Sequence, residues 1–319
     1  MKRAKIRDVA ERAGVSTATV SLALNGNGSR ISAATVATVR QAAKDLGYQP
    51  NAAARSLRTE RTQTLAMISD QIITTPYANR MVLGAQEAAW EREHLLFVVN
   101  TNGDPEQEAA YIAALQARNV DGFICASMYH RRGPVPEALR GATVVGMDIE
   151  LPEPALASFV PDEVGGARAA TQTLIEAGHR RIAHITDPEW VPAQGLRLAG
   201  FTTTMRAAEC WDPSLVRIPE RSAVDINQSD WGEHATAELL ALPSPPTAIF
   251  AYNDRTAIGV YRAARAAGLR IPEDLSVIGF DDQELVATEL RPRLTTVALP
   301  HRELGRAAAG AVLAAIDPS

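Results

Sequence analysis

A scattered set of side chains in this chain suits the recognition of a small polyol. Arg197 stands in Leu196-Arg197-Leu198-Ala199-Gly200-Phe201, an otherwise apolar helical stretch. A guanidinium placed so either pairs with carboxylates or clamps hydroxyls. Asn253 follows the apolar run Ile249-Phe250-Ala251-Tyr252, and Asp281 follows Val277-Ile278-Gly279-Phe280. Both have short side chains of fixed reach, suited to hydrogen-bonding ring hydroxyls or to capping the next helix or turn. Asp148, after Val144-Val145-Gly146-Met147, and Asp70, after Leu65 to Ser69, occupy equivalent strand-end positions earlier in the chain. Trp231, in Ser229-Asp230-Trp231-Gly232, either stacks on the apolar face of a sugar or purine or plugs the core. An arginine, carboxylates, an amide and an aromatic favour a sugar or sugar derivative as ligand.

The same residues do not read as an enzyme. There is no G-x-S-x-G elbow, no glycine loop with a phosphate-binding lysine and no H-E-x-x-H. The histidines show no ligand pairing at helical spacing. Asp281 and Asp282 are adjacent at a strand end and point opposite ways, so they do not share a proton. Cys125 and Cys210 are far apart, match no metal or redox spacing, and read as small buried hydrophobes in a reducing compartment. The expectation is a binder without cofactor or metal.

The elements that must position these side chains alternate. Strands are expected at Leu65–Ile68, Leu95–Val99, Gly122–Ala126, Thr143–Met147, Arg181–Thr186, Ala248–Tyr252 and Ser276–Phe280. Helices are expected at Arg80–Arg92, Asp104–Arg118, Val164–Ala177, Ala193–Ala208, within Trp231–Leu242, at Asp254–Ala267 and at His301–Ile316. Strands alternating with crossover helices mean parallel sheets covered on both faces. This stretch is long for one sheet, so two doubly wound lobes are expected, with the ligand between them beyond the carboxyl ends of the strands. The fold class is therefore α/β with a separate helical head.

That head lies at the N-terminus. Ile6, Val9, Ala10 and Ala13 recur at helical spacing, and Gly14 stops the helix because it takes the left-handed conformation cheaply. Ser16 caps a second helix in which Val20 and Leu24 face the first, leaving Thr17, Ala18, Ser21 and Leu22 outward. A third helix opens at Ser32, carries Val36, Val39, Ala43 and Leu46, and closes at Gly47. Two helices joined by a tight glycine turn are either an ordinary helical hairpin or a helix-turn-helix whose second helix enters the DNA major groove. Charge favours the second. Residues 1–61 hold 11 Lys and Arg against 4 Asp and Glu, a surplus of +7, while the remainder holds 21 against 33, or −12, of the 319-residue chain's −5. A basic head on an acidic body suits phosphate contact by the head alone. Hydrophobic residues make up 46% of the chain, enough for a core of this size. No apolar run is long enough to span a membrane, and no signal peptide precedes the head.

The order and spacing of Asp8-Val9-Ala10, Ala13-Gly14-Val15-Ser16, Thr19-Val20-Ser21 and Leu24-Asn25 are highly specific, as are Leu46-Gly47-Tyr48, Pro50-Asn51 and Ala54-Arg55-Ser56-Leu57. They resemble the lactose-repressor (LacI-type) family of bacterial transcription factors, and the likeness runs through nearly the whole chain. The resemblance implies a helix-turn-helix domain over 1–50, a hinge helix and linker over 51–61, and a two-lobed periplasmic-binding-protein-like body over 62–319 for effector binding and dimerisation. It implies a cytoplasmic homodimer on a pseudo-palindromic operator, with Thr17, Ala18 and Leu22 facing base edges and Ser16, Thr19, Ser21 and Asn25 binding phosphates or capping. Tyr48, Asn51, Ala54 and Leu57 join the DNA-facing set. In similar repressors the arginine at 197 grips the effector, and an aromatic at the place of Tyr77 lines the cleft.

Two departures matter. Many relatives carry arginine where this chain has Leu22, and leucine cannot make the bidentate bond to guanine worth about 1–3 kcal/mol of discrimination. Relatives also continue past the last helix into another strand of the second lobe, whereas this sequence stops at Ile316-Asp317-Pro318-Ser319. A truncated or degenerate regulator with impaired effector response is thus one alternative; a solute-binding protein is another, against which the basic head argues. The segment 51–58 is about two turns, too short to be a stable helix alone in water. It is expected to fold only on DNA, with Leu57 wedged into the minor groove.

Overall fold

The structure, a computed structural model, describes residues 4–24, 31–49, 61–75, 79–187, 191–218 and 227–317. The expectations for Asn25, Asn51, Ala54, Leu57 and Tyr77, and for the hinge as a whole, lie outside the described residues. Contacts divide the chain into two compact units, Met1–Gln63 and Thr64–Ser319.

The first unit holds α1 (Ile6–Ala13), α2 (Thr17–Leu24) and α3 (Ala33–Asp45). Each boundary has a local cause. Lys5 N–H donates to the Asp8 carboxylate at 2.7 Å to start α1. Gly14 at φ +66° ends it, and Val15 N–H closes back on the Ala10 carbonyl at 3.0 Å. Ser16 Oγ accepts from Thr19 N–H at 3.1 Å and Ser32 Oγ from Thr35 N–H at 3.2 Å, so both caps are as expected. Val9, Ala10, Val20, Ala23, Val39, Ala42 and Ala43 form the core. Ala23, three residues from Val20, is the second buried side chain of α2; Leu24 only packs against the edge of this core. Leu46 is also not part of it, being exposed just before the Gly47 turn.

The second unit has two parallel sheets with one topology repeated. The first sheet contains β1 (Thr64–Ser69), β2 (Leu95–Asn100), β3 (Gly122–Arg132), β4 (Val144–Glu150) and β5 (Ser158–Phe159), in the order β2-β1-β3-β4-β5. The second contains β6 (Ile182–Ile185), β7 (Val216–Arg217), β8 (Ala248–Ala251), β9 (Ser276–Asp281) and β10 (Thr295–Ala298), in the order β10-β9-β8-β6-β7. Counted within each lobe, both orders are 2-1-3-4-5, whose ligand crevice opens where the winding reverses, between the first and third strands. The edge strands β5 and β7 are two residues each, too short to leave a periodic signal.

Helices cover both faces: α4 (Asn79–Glu91) and α5 (Pro105–Gln116) on the first sheet; α6 (Glu163–Glu176), α7 (Pro192–Ala207), α8 (Gln228–Leu240), α9 (Asp254–Ala266) and the short α10 (Glu284–Ala287) on the second. The last helix, α11 (His301–Ile316), returns to the first lobe. Its Leu304, Ala308, Ala309, Val312 and Leu313 share a core with Leu65, Met67, Ile124 and Met147. The chain therefore crosses between lobes after β5 and again after β10. Glycine lets the crossing helices meet: a Cβ on Gly305 would lie 2.0 Å from the Met81 carbonyl oxygen, and one on Gly84 1.9 Å from that of Arg302. No described helix is long and apolar enough to cross a membrane.

Candidate functional site

Between the two sheets lies a cavity of about 570 Å³. The second lobe builds its wall from the ends of its strands and the first turns of its helices. Asp187 follows β6, and Tyr252 and Asn253 follow β8, the crevice predicted by the strand order. Asp281 ends β9 in the left-handed region at φ +97°, which turns its carboxylate inward. The first lobe contributes through an irregularity. Ala126 pairs with Met147 and Arg131 with Ile149, so residues 127–130 of β3 face the single residue Asp148 of β4. Such a bulge re-aims side chains, and here Met128, Tyr129, His130 and Asp148 reach the cavity.

Arg197 organises the wall. Its Nε donates to Glu163 Oε2 at 2.7 Å, Nη1 to the Tyr252 carbonyl at 2.7 Å, and Nη2 to Glu163 Oε1 at 3.4 Å and to Asp281 Oδ1 at 3.2 Å. The guanidinium lies 3.9 Å from the Phe280 ring centre and 4.6 Å from that of Tyr252, a cation–π sandwich. Burial opposes its charge, but Glu163 and Asp281 raise its pKa, so it stays a cation. Asp281, pushed by burial and held back by Arg197, titrates at about 6.

Asp148 is 2% exposed, sits at φ +57°, and its Oδ1 finds no hydrogen-bond partner. Burial, then Glu163, drives its pKa well above the carboxylate range. His130, also 2% exposed, is hydrogen-bonded to Glu150 (Nε2 to Oε1, 3.0 Å), while its Nδ1 has no hydrogen-bond partner and faces Glu163 at 4.0 Å. Asn253 serves as a cap. Its Oδ1 accepts from the Thr256 N–H at 2.9 Å to cap α9, and its Nδ2 donates to Gln228 at 3.0 Å on the cavity wall. Gln228 in turn donates to Asp187 at 2.6 Å. His301 also lines the cavity, its pKa lowered by burial to about 4.

The structure thus brings Asp148, Arg197, Asn253 and Asp281 to one cavity. Two expectations are corrected. Trp231 does not line it: its indole Nε1 donates to the Thr186 carbonyl at 3.0 Å and its ring packs against the second-lobe core, the plug and not the stacking platform. Asp70 does not line it either. Its carboxylate is tied to Ser127 Oγ and to the Met128 N–H, both at 3.0 Å, and it opens instead on a separate 240 Å³ cavity beside Glu108 and Arg131. The strand-end pattern is right for Asp70, but the bulge in β3 folds over it. Glu163, His130, Asp187, Gln228 and Tyr252 went unread. Glu163 lies in the first turn of a helix, where an acid is an ordinary dipole partner.

In the first unit, Ser16, Thr17 and Ala18 are exposed and Thr19, Ser21 and Leu22 half-buried, all on or just before α2. Ser16 and Thr19 are joined by the cap and by a 2.9 Å hydroxyl contact. Tyr48 packs against the head core.

Residues 5–51 match the family described as bacterial regulatory proteins, lacI family, and residues 171–319 match a periplasmic binding protein-like domain. The ribose operon repressor of Escherichia coli K12 is 36% identical over 310 residues, covering 96% of this chain and 91% of that protein. This chain belongs to the lacI family of bacterial regulatory proteins. Other relatives of the lacI-family chain agree: the HTH-type transcriptional regulator CelR of Thermobifida fusca is 36% identical over 316 residues, covering 96% of this chain and 89% of that one. Among solved structures, a CelR–cellobiose complex superposes with a TM-score of 0.67 at 33% identity, covering 98% of this chain and 93% of that one. The lac repressor dimer bound to operator and an anti-inducer superposes with a TM-score of 0.75 at 27% identity, covering 99% and 93%. As a member of the lacI family, the protein is a DNA-binding transcriptional regulator.

Proposed function

We propose that this regulator is a repressor whose operator affinity is set by a sugar or sugar derivative held in the 570 Å³ cavity. The observation that carries this reading is Asp148. A buried carboxyl oxygen with no partner is costly unless something brings it one, and Asp148 lines a cavity walled by further hydrogen-bonding groups. Relatives named for ribose and a neighbour bound to cellobiose support the sugar class. The effector site is Asp148, Arg197, Asn253 and Asp281 together with Glu163, Asp187, Gln228 and Tyr252, and its task is binding without catalysis, in the cytoplasm. Arg197 acts by holding Glu163, Asp281 and Tyr252 in place, since the protein already takes four hydrogen bonds from it.

Operator contact falls to Ser16, Thr17, Ala18, Thr19, Ser21 and Leu22, with Asn25, Tyr48, Asn51, Ala54 and Leu57 completing the set. A second copy pairs through the first lobe, where Leu83 and Trp90 on α4 and Leu95 and Phe97 on the edge strand β2 are exposed at 48%, 72%, 58% and 40%. Effector and operator are then linked by one coupling free energy, typically ~1–3 kcal/mol. The test is operator selection from random duplex followed by salt titration and sugar addition. A palindromic site bound with steep salt dependence, and shifted in affinity by a sugar, is the expected outcome; equal binding to random duplex at every salt concentration overturns it. The selected half-site should lack guanine opposite Leu22, and Leu22→Arg should introduce one.

A further inference from the structure

The cavity's charge and its unpartnered atoms narrow the effector further, on the premise that the effector is a sugar. Its wall carries the buried acids Glu163, Asp187 and Asp281, with Asp148 pushed by burial towards its neutral form, against one buried cation, Arg197. That cation is already matched by Glu163 and Asp281, and four of its hydrogen bonds go to the protein. The other guanidinium on the wall, Arg255, is exposed. His301 cannot supply a second charge near neutral pH, since burial lowers its pKa to about 4. A ligand phosphate or carboxylate would therefore lose its hydration to enter a space whose buried acids outnumber its one buried cation, which they already hold.

The unpartnered atoms tell the same story from hydrogen bonding. Asp148 Oδ1 and His130 Nδ1 are buried, both on the first lobe, and neither has a hydrogen-bond partner. In the tautomer whose Nε2–H donates to Glu150, Nδ1 is the ring's open acceptor. A hydroxyl or amine placed there would donate to His130 and come within reach of Glu163, which stands 4.0 Å from that nitrogen on the opposite lobe. One ligand group would thus join the two lobes.

We propose that the effector is an uncharged or amine-bearing polyol, that its phosphorylated and carboxylated counterparts are refused, and that His130 is the first-lobe residue that accepts one of its hydroxyl or amine protons.

The test uses the full chain and calorimetric titration with a panel of pentoses, hexoses and disaccharides. Each is offered as the free sugar, the amino sugar, the sugar phosphate and the uronate. The expected result is that at least one free or amino sugar binds and that its phosphate and uronate bind at least 100-fold more weakly. A phosphate or uronate that binds as tightly as its parent overturns the charge argument and leaves the sugar reading standing. A panel in which no sugar of any charge binds sinks the sugar reading, and this inference with it. For the binder found, His130→Phe keeps a ring of similar size but removes Nδ1. We expect at least a 10-fold loss of affinity with the unfolding temperature of the free protein maintained. Unchanged affinity would overturn the role of His130.

Discussion

Arg197 and Glu163 form a buried, two-pronged ion pair: Nε to Oε2 at 2.7 Å and Nη2 to Oε1 at 3.4 Å, with side chains 5% and 1% exposed. The pair joins α7 to the first turn of α6, and Asp281 extends it to β9. Removing one partner of such a pair leaves a buried charge without compensation, which costs about 3–5 kcal/mol.

Lysine cannot replace the arginine here. It lacks the planar fork that reaches Glu163, Asp281 and the Tyr252 carbonyl together, and it does not stack flat between Tyr252 and Phe280. Arg197→Lys should therefore lower the stability of the effector-binding unit by roughly 2–4 kcal/mol, a range taken from the loss of charged hydrogen bonds and partial loss of the pair. Urea denaturation followed by circular dichroism would show it; a midpoint within error of the parent would contradict the pair's structural role.

Three glycines in the body give a sharper test, because they predict opposite signs. A Cβ on Gly305 would stand 2.0 Å from the Met81 carbonyl oxygen and one on Gly259 1.9 Å from that of Ser229, whereas at Gly310 nothing lies within 4 Å. In the first two cases backbone must move. Gly305→Ala and Gly259→Ala should each cost about 3 kcal/mol or more, at or beyond the upper end of overpacking penalties. Gly310→Ala, within α11, should stabilise by about 0.5–1 kcal/mol through helix propensity. Denaturant midpoints for the three variants settle it.

Asp254 makes stability depend on pH. Burial raises its pKa from 3.8 to about 7, against the Thr296 hydroxyl that donates to it. A raised carboxyl favours the folded state only while protonated. Its contribution is fully present below about pH 4 and is lost as the pH climbs towards 7. Asparagine can accept from the Gln283 N–H and donate to Thr296 Oγ1 in its place, so Asp254→Asn should be close to neutral at pH 4 and stabilising at pH 8. The ceiling is about 4 kcal/mol, from three pKa units at 1.36 kcal/mol each. His184 and His301, both lowered by burial to about 4, work in the other direction between pH 6.5 and 4. They are common to both proteins and cancel from the difference between variant and parent, which reports Asp254 together with its coupling to Asp281. A difference flat from pH 4 to pH 8 would refute the assignment.

The sequence by itself determined whatever is decided within a few residues. Gly14, Ser16, Ser32 and Gly47 punctuate the head because a left-handed turn or a cap depends only on neighbours along the chain. Asn253 and Asp281 were readable as residues of the cavity wall because parallel strands present their carboxyl ends to a ligand crevice whatever the details, whereas Asp148 lies within β4 and reaches the cavity opposite the bulge. Tertiary structure decided the rest. The bulge that places His130 in the cavity and folds Ser127 and Met128 over Asp70 exists only as a register between two strands. Trp231 became a core plug because the Thr186 carbonyl, 45 residues away, lies within reach of its indole. The return of α11 to the first lobe rests on Gly84 lying against the Arg302 backbone and Gly305 against that of Met81, partners far apart in the chain. Partners so distant leave no periodic trace; their contacts arise only when the chain has closed.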